Sequence, residues 1–360
     1  MKKLVPSLFF IVFFIIYSCN IQKKYPPLNT RTDTTAKRGD IRIMFYNCEN
    51  FFDIYNDSVK LDDEFTPEGK KHWTFRRFLE KVSHISKVIV AIGGWQPPEI
   101  IGLCEIENRY VLNYLTQKGP LKKIGYKIIH YESPDRRGID VGFLYLPNKF
   151  HPIMSKKIPV NFPPNMGKKT RDILYVKGTI NNGDTLHIFV NHWPSRWGGM
   201  LETEPKRMFV AALLRKNVDS IFQTNPKAKI IIIGDLNDYP TNRSLLESLK
   251  AKGDFKNIKT NELYNLSYYL QEVKGKFSHK HQGEAGILDQ IIVSGALLDT
   301  NNSVYTTKDD AHVFDAPFLR EEDANYAGYK PFRTYIGYKY HGGFSDHFPV
   351  YLDLFIKKRK

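Results

Sequence analysis

Four short clusters of acids, amides and imidazoles each follow an apolar run and a fifth precedes one, and together they could hold a metal ion and move a proton. Ile41 to Tyr46 runs into Asn47-Cys48-Glu49-Asn50, and Ile100 to Cys104 into Glu105. Leu186 to Val190 runs into Asn191-His192, and Ile230 to Gly234 into Asp235-Leu236-Asn237. The fifth, Ser345-Asp346-His347, precedes the apolar Phe348-Pro349-Val350-Tyr351-Leu352. Carboxylate and amide oxygens suit a hard cation such as Mg²⁺ or Mn²⁺, whereas zinc prefers imidazole and thiolate. Each cluster alone is an ordinary turn sequence, so the weight lies in the set.

Strands must carry these clusters. Side chains alternate faces along a strand, so Asn47 with Glu49, and Asp235 with Asn237, are expected on one side. Apolar positions from Phe75 to Ile89 at helical spacing predict a helix over Trp73–Ile92, closed by Gly93-Gly94. A second helix is predicted over Pro205–Phe222. Further strands are predicted at Tyr126–His130, Asp140–Leu146, Leu174–Ile180 and Leu186–Val190, the last two joined by the turn Asn181-Asn182-Gly183. No Gly-, Ser- or Pro-rich linker divides residues 40–356, which reads as one domain.

The segments Asn47-Cys48-Glu49-Asn50-Phe51-Phe52-Asp53, Glu105-Ile106-Glu107-Asn108, Asn191-His192-Trp193-Pro194-Ser195-Arg196, Gly234-Asp235-Leu236-Asn237-Asp238, Leu288-Asp289-Gln290 and Ser345-Asp346-His347 follow one another in a telling order. In that order they resemble the endonuclease/exonuclease/phosphatase superfamily, in particular its exported members from Bacteroides-like bacteria. The resemblance implies an α/β fold, a four-layer α/β/β/α sandwich of two mixed sheets flanked by helices. It implies that Asn47, Glu49, Glu105 and Asp346 hold or orient Mg²⁺ or Mn²⁺, that His347 is the general base and that Asp289 fixes its imidazole. Asp235 and Asn237 would position water and phosphate, and His192 would donate to a non-bridging oxygen. Asp140 is expected to orient His192, with Asn191, Arg171 and Arg196 contacting substrate. Hydrolysis of a phosphate ester needs an in-line water, a proton acceptor and positive charge at the phosphate, and these residue types supply all three.

The N-terminus reads as a processing segment. Lys2 and Lys3 precede the apolar run Leu4 to Ile16, and Ile16-Tyr17-Ser18-Cys19 resembles a lipobox apart from its bulky Tyr17. The expectation is a leader over residues 1–18, lipidation at Cys19, a flexible tether over 19–39, the domain over 40–356 and a basic tail over 357–360. That makes an envelope lipoprotein held to a membrane. Cleavage by signal peptidase I, or an uncleaved anchor, are the alternatives. Cys48 and Cys104 are expected to be buried and to point away from the site, although an exported protein also admits a disulfide. His279 and His281 read as solvated loop residues, with contact to substrate the alternative, and Glu107-Asn108 as the start of a short helix.

The formal net charge is +15, and removal of the leader with Lys2 and Lys3 would leave +13. Such a balance favours a polyanionic partner, so a nuclease acting on DNA or RNA as a monomer is the first expectation. A phosphomonoesterase, or a phospholipid, sphingolipid or inositol-phosphate hydrolase, is the second. A silent polyanion-binding lipoprotein is the third, and retention of Glu105, Asp235, Asp346 and His347 argues against it.

Overall fold

A computed structural model describes residues 38–167 and 169–357. Cys19, the expected leader and all but the last two residues of the tether lie outside the described residues, as does the tail beyond Lys357. The first sheet contains β1 (Ile41–Phe51), β2 (Ile100–Ile106), β3 (Lys127–His130) and β4 (Asp140–Tyr145). The second contains β5 (Phe150–Ile158), β6 (Ile173–Ile180), β7 (Thr185–His192) and β8 (Lys229–Asp235). The first sheet runs Val304–Tyr305, Val350–Ile356, β1, β2, β4, β3, with Ala311–Val313 also pairing Val350–Ile356. The second runs β5, β6, β7, β8, then Asp289–Ser294, Leu263–Asn265 and Ala251–Lys252. Both are mixed: β1 and β2 are parallel, as are β7 and β8, among antiparallel neighbours.

The isoleucine run of β8 shows why strand periodicity is hidden here. Ile231 and Ile233 face the core between the sheets, while Ile230 and Ile232 face a second core beneath a helix. A strand covered on both faces reads as continuous apolar sequence rather than as alternation. The sheets approach so closely that a Cβ on Gly102 would lie 2.8 Å from Ile233 Cδ1 and 3.1 Å from Val190 Cγ1. Only glycine fits that point of β2.

Helix α1 (Phe75–Gly93) covers the first sheet through a stripe that includes Phe78, Val82, Ile85 and Ile89, and ends where Gly94 adopts φ +62°. The short α2 (Arg109–Asn113) is capped by Asn108, whose side chain accepts from the Val111 amide at 3.2 Å, as expected of Glu107-Asn108. Helix α3 (Met200–Thr224) covers the second sheet with Val210, Ala211, Leu214, Val218 and Phe222. It begins five residues before the expected Pro205, because the left-handed Gly198 (φ +92°) and Gly199 (φ +118°) turn the chain there. Arg207 then ties the first turn together through Thr203 Oγ1 at 2.7 Å and Met200 O at 2.9 Å. Among the described residues no helix is long and apolar enough to cross a membrane.

Candidate active site

Every expected cluster arrives at the same end of the two sheets. Asn47 and Glu105 leave the C-terminal ends of the parallel β1 and β2, whereas His192 and Asp235, cross-strand neighbours, end β7 and β8. Asp289 opens the next strand directly opposite Asp235. The side chains are not delivered by simple alternation, however. The register of β1 shifts between Asn47 and Phe51, that of β2 between Cys104 and Ile106, and Glu49, Asn50, Glu105 and Asn237 sit at φ +46°, +55°, +54° and +52°. Left-handed backbone at a non-glycine residue costs about 1–3 kcal/mol and persists where surrounding structure enforces it. The enforcement is visible: the Glu49 amide donates to Asn47 Oδ1, the Asn50 amide to Glu105 Oε2 and the Asn237 amide to Asp235 Oδ1, each at 2.9 Å.

His347 lies among three carboxylates. Its Nδ1 lies 2.7 Å from Asp289 Oδ2, and its Nε2 lies 3.9 Å from Asp235 Oδ2 and 4.0 Å from Asp346 Oδ1. Burial alone would lower this imidazole, but the charges of Asp289 and Asp235 and the hydrogen bond to Asp289 hold its pKa well above the usual value. Asp235 is pushed up to about 7 by burial, with His347 opposing and Asp289 adding to the shift. Its Oδ2 also accepts from Asn47 Nδ2 at 3.0 Å. His192 is the opposite case: burial, then the nearby Arg171 and Arg137, drive its pKa well below the ordinary range, so it stays neutral. Its Nε2 lies 3.7 Å from Asp235 and 3.9 Å from Glu105 Oε1.

Glu49, Glu105 and Asp346 form the acidic wall. Burial, then the charge of Asp346, raises the Glu49 carboxyl. Arg333 joins the two, with Nε 3.4 Å from Glu49 Oε1 and Nη2 3.1 Å from Asp346 Oδ2. The buried Lys81 ammonium adds a second positive charge beside Glu49 while donating to Thr334 Oγ1 and Phe344 O, both at 2.6 Å. The Thr334 amide donates to Glu49 Oε2 at 2.6 Å. Carboxylates gathered in this way present oxygen donors, which fit Mg²⁺ or Mn²⁺.

Several expected contacts are replaced by others. Asp140 does not orient His192: its oxygens take His130 Nε2 at 3.0 Å and the Ser133 amide at 2.8 Å, leaving His192 Nδ1 without a hydrogen bond. The strand pairing of β3 with β4 sets His130 beside Asp140. Arg171 is buried rather than open to phosphate. Its guanidinium binds Asp135, His192 O and Trp193 O, and so fixes the backbone that carries His192. Asn191 is fully buried, its Oδ1 accepting from Trp193 Nε1 at 3.2 Å. Arg196 donates to Asn237 O at 2.8 Å and to Asn242 Oδ1 at 3.1 Å, and packs over Tyr239, so it braces the loop after β8. Cys104, expected to point away, places its thiol within 4.8 Å of ligand atoms on His192 and Asp235, because it pairs in register with Asn47, whose side chain reaches Asp235. Cys48 and Cys104 are both free and buried.

Arg333 and Lys81 carry no sequence signal, and His279 reads from sequence as a loop residue. Arg333 stands thirteen residues before Asp346 in a polar stretch, and Lys81 looks like one more charge on an amphipathic helix. His279 is no solvated loop residue. It lies on the strand His279–His281, which pairs with Glu284–Gly286, and its backbone bridges to His347 with ring centroids 4.8 Å apart. Burial, then His347, lowers its pKa to about 3. Beside Asp346 and Arg333 this hairpin opens a recess of about 210 Å³ lined by Lys280, His281, Asn325, Tyr326 and Lys330.

Comparison with known proteins agrees with this architecture. Residues 42–358 match the model of the Endonuclease/Exonuclease/phosphatase family, and the chain belongs to that family. Among curated proteins no sequence relative is found. Humanized D. rerio TDP2 superposes with a TM-score of 0.53 at 15% identity, covering 88% of this chain and 99% of its own. That D. rerio protein is also solved with a single-strand DNA product. The human Nocturnin catalytic domain with bound sulfate aligns at 18% identity and TM-score 0.50, covering 88% and 94%. A Bacteroides thetaiotaomicron mannosyl-6-phosphatase aligns at 15% identity and TM-score 0.53, covering 87% and 99%. At these identities the likeness is one of fold.

Proposed function

Within this family of phosphoesterases, we propose that the chain is a divalent-metal-dependent hydrolase that cleaves phosphate esters by direct attack of water, with nucleic acid as its substrate. The observation that carries the reading is the convergence of the Asp289–His347 pair and Asp235 with Glu49, Glu105 and Asp346 at one end of the sandwich. A bound Mg²⁺ or Mn²⁺ would supply Lewis-acid polarisation of the phosphoryl oxygen. Asn47, Glu49, Glu105 and Asp346 are the residues to hold it.

His347 Nε2 takes the proton of the attacking water once that nitrogen is unprotonated, and Asp289 stabilises the imidazolium that results. Asp235 accepts a hydrogen bond from the same water and fixes its approach. Asn237, whose Nδ2 donates to Trp193 O at 3.0 Å, keeps the turn after β8 in place. Neutral His192 is a hydrogen-bond donor for a non-bridging oxygen, where negative charge accumulates in the transition state. Arg171 keeps it there through the backbone.

Net positive charge supports a nucleic-acid substrate held through its phosphates, and the DNA-bound D. rerio TDP2 is an analogue on this fold. One observation favours a second reading. The recess beside Asp346 is small and polar, with Asp323 held 2.9 Å from Lys280, and suits the alcohol of a small phosphorylated polyol, the class that a mannosyl-6-phosphatase cleaves. The expected export and lipid anchor at Cys19 remain part of the proposal; acylation is tested by labelled fatty acid in the wild type and in Cys19→Ala.

The substrate test is a rate comparison of plasmid DNA, RNA, hexose phosphates and sphingomyelin at low and moderate salt. Cleavage of nucleic acid with little sequence preference and a steep loss of affinity with salt is expected. Turnover of hexose phosphates without nicking of DNA or RNA would transfer the assignment to the second reading.

A further inference from the structure

The Asp289–His347 pair has a second chemical capacity. An imidazole that gives one ring nitrogen to a carboxylate is fixed in tautomer and orientation and presents its other nitrogen as a stronger ligand, the arrangement found behind zinc-bound histidines. His347 Nε2 is that other nitrogen. One ligand atom each from His279, Asp346 and His347 lie within 4.8 Å of one another, and Asp346 Oδ1 lies 4.0 Å from His347 Nε2. The backbone bridge between His279 and His347 holds the two rings side by side. Asp346 is about a quarter exposed, so its carboxylate has room to turn inward.

Two imidazoles and one carboxylate are a poor donor set for Mg²⁺ and a good one for Zn²⁺, which binds tetrahedrally and leaves a fourth position for water. The oxygen donors Glu49 and Glu105 take no part in this second set. We propose that His279, Asp346 and His347 form a zinc-binding site, sharing only Asp346 with the all-oxygen site, whose occupation shuts hydrolysis off. The inhibition rests on the function proposed above, whereas the binding does not. Zinc takes the Nε2 lone pair of His347, and any proton on that nitrogen leaves to solvent. The same lone pair must receive the proton of the attacking water, so the base is blocked while zinc is bound. Asp346 is also drawn from the oxygen set.

The test measures Zn²⁺ binding to the full-length protein directly, by competition with a chromophoric chelator in saturating Mg²⁺, for the wild type, His279→Ala and His279→Gln. The glutamine variant retains bulk and polarity but cannot ligate zinc through an imidazole. One zinc per chain in the wild type and an affinity at least about tenfold weaker in both variants are expected. Inhibition of hydrolysis should weaken in parallel. Equal zinc affinity in all three proteins would overturn the site, since that zinc would sit among ligands that do not include His279. Zinc binding as expected from a protein that hydrolyses no phosphate ester would leave the site standing and remove the catalytic reading instead.

Discussion

His347 Nδ1 stands 2.7 Å from Asp289 Oδ2, with the aspartate completely buried. That distance governs the pH response. The folded pKa of His347 is raised, so this imidazole holds its proton to higher pH than a free histidine does. The rate should therefore rise with pH along a limb lying above the ordinary histidine value of about 6.5. Asp289→Asn removes part of the upward pull, so its limb should move to lower pH while the plateau rate falls. A pH profile of kcat/KM for both proteins checks this, and an unshifted limb would show that Asp289 does not set the basicity of His347.

The acidic wall makes the second prediction. Chelation by EDTA should abolish hydrolysis and Mg²⁺ or Mn²⁺ should restore it. Glu105→Gln should need a higher Mg²⁺ concentration for half-maximal rate with little change in the thermal midpoint. Restoration by Zn²⁺ alone would contradict the oxygen-ligand assignment.

Lys81 makes the third. Its ammonium is buried against Thr334 and Phe344 and counters the charge of Glu49. In Lys81→Met the Thr334 hydroxyl and the Phe344 carbonyl stay buried and lose their donor, which costs about 1–3 kcal/mol per unsatisfied group. A urea midpoint within error of the wild type would show that the ammonium is dispensable. The loop from Phe332 to Asp346 should also loosen, lowering metal affinity.

Gly102 makes the fourth. Its added Cβ in Gly102→Ala would meet Ile233, Phe45 and Val190 within 3.1 Å, an overpacking that costs about 1–3 kcal/mol. Denaturant unfolding measures it directly, and an unchanged midpoint would mean that the sheets can part at this point.

The elements that carry the site were legible because their apolar runs end abruptly in polar residues. Ile230 to Gly234 before Asp235, and Leu186 to Val190 before Asn191, are the plainest cases, and both strands extend only a residue or two beyond the expected limits. What was not legible depends on tertiary contact. Alternation placed Cys104 wrongly because it was counted back from Glu105, where left-handed backbone and a register shift interrupt the strand, and nothing local announces them. Arg171 looked free to meet phosphate because sequence does not reveal the carbonyls of His192 and Trp193 that claim it. Arg333 and His279 come from hairpins inserted between the ordered motifs, where pattern is weakest and only folding brings them to Asp346 and His347.

The most direct test of the account is the turnover rate of His347→Ala against the wild type, with saturating Mg²⁺ on the substrate that the comparison of esters identifies. Loss of the general base predicts a fall of at least about 10²–10⁴ in kcat, with Asp289→Ala adding little in the double mutant because the pair acts as a unit. A His347→Ala protein that turns over at near the wild-type rate would contradict the account.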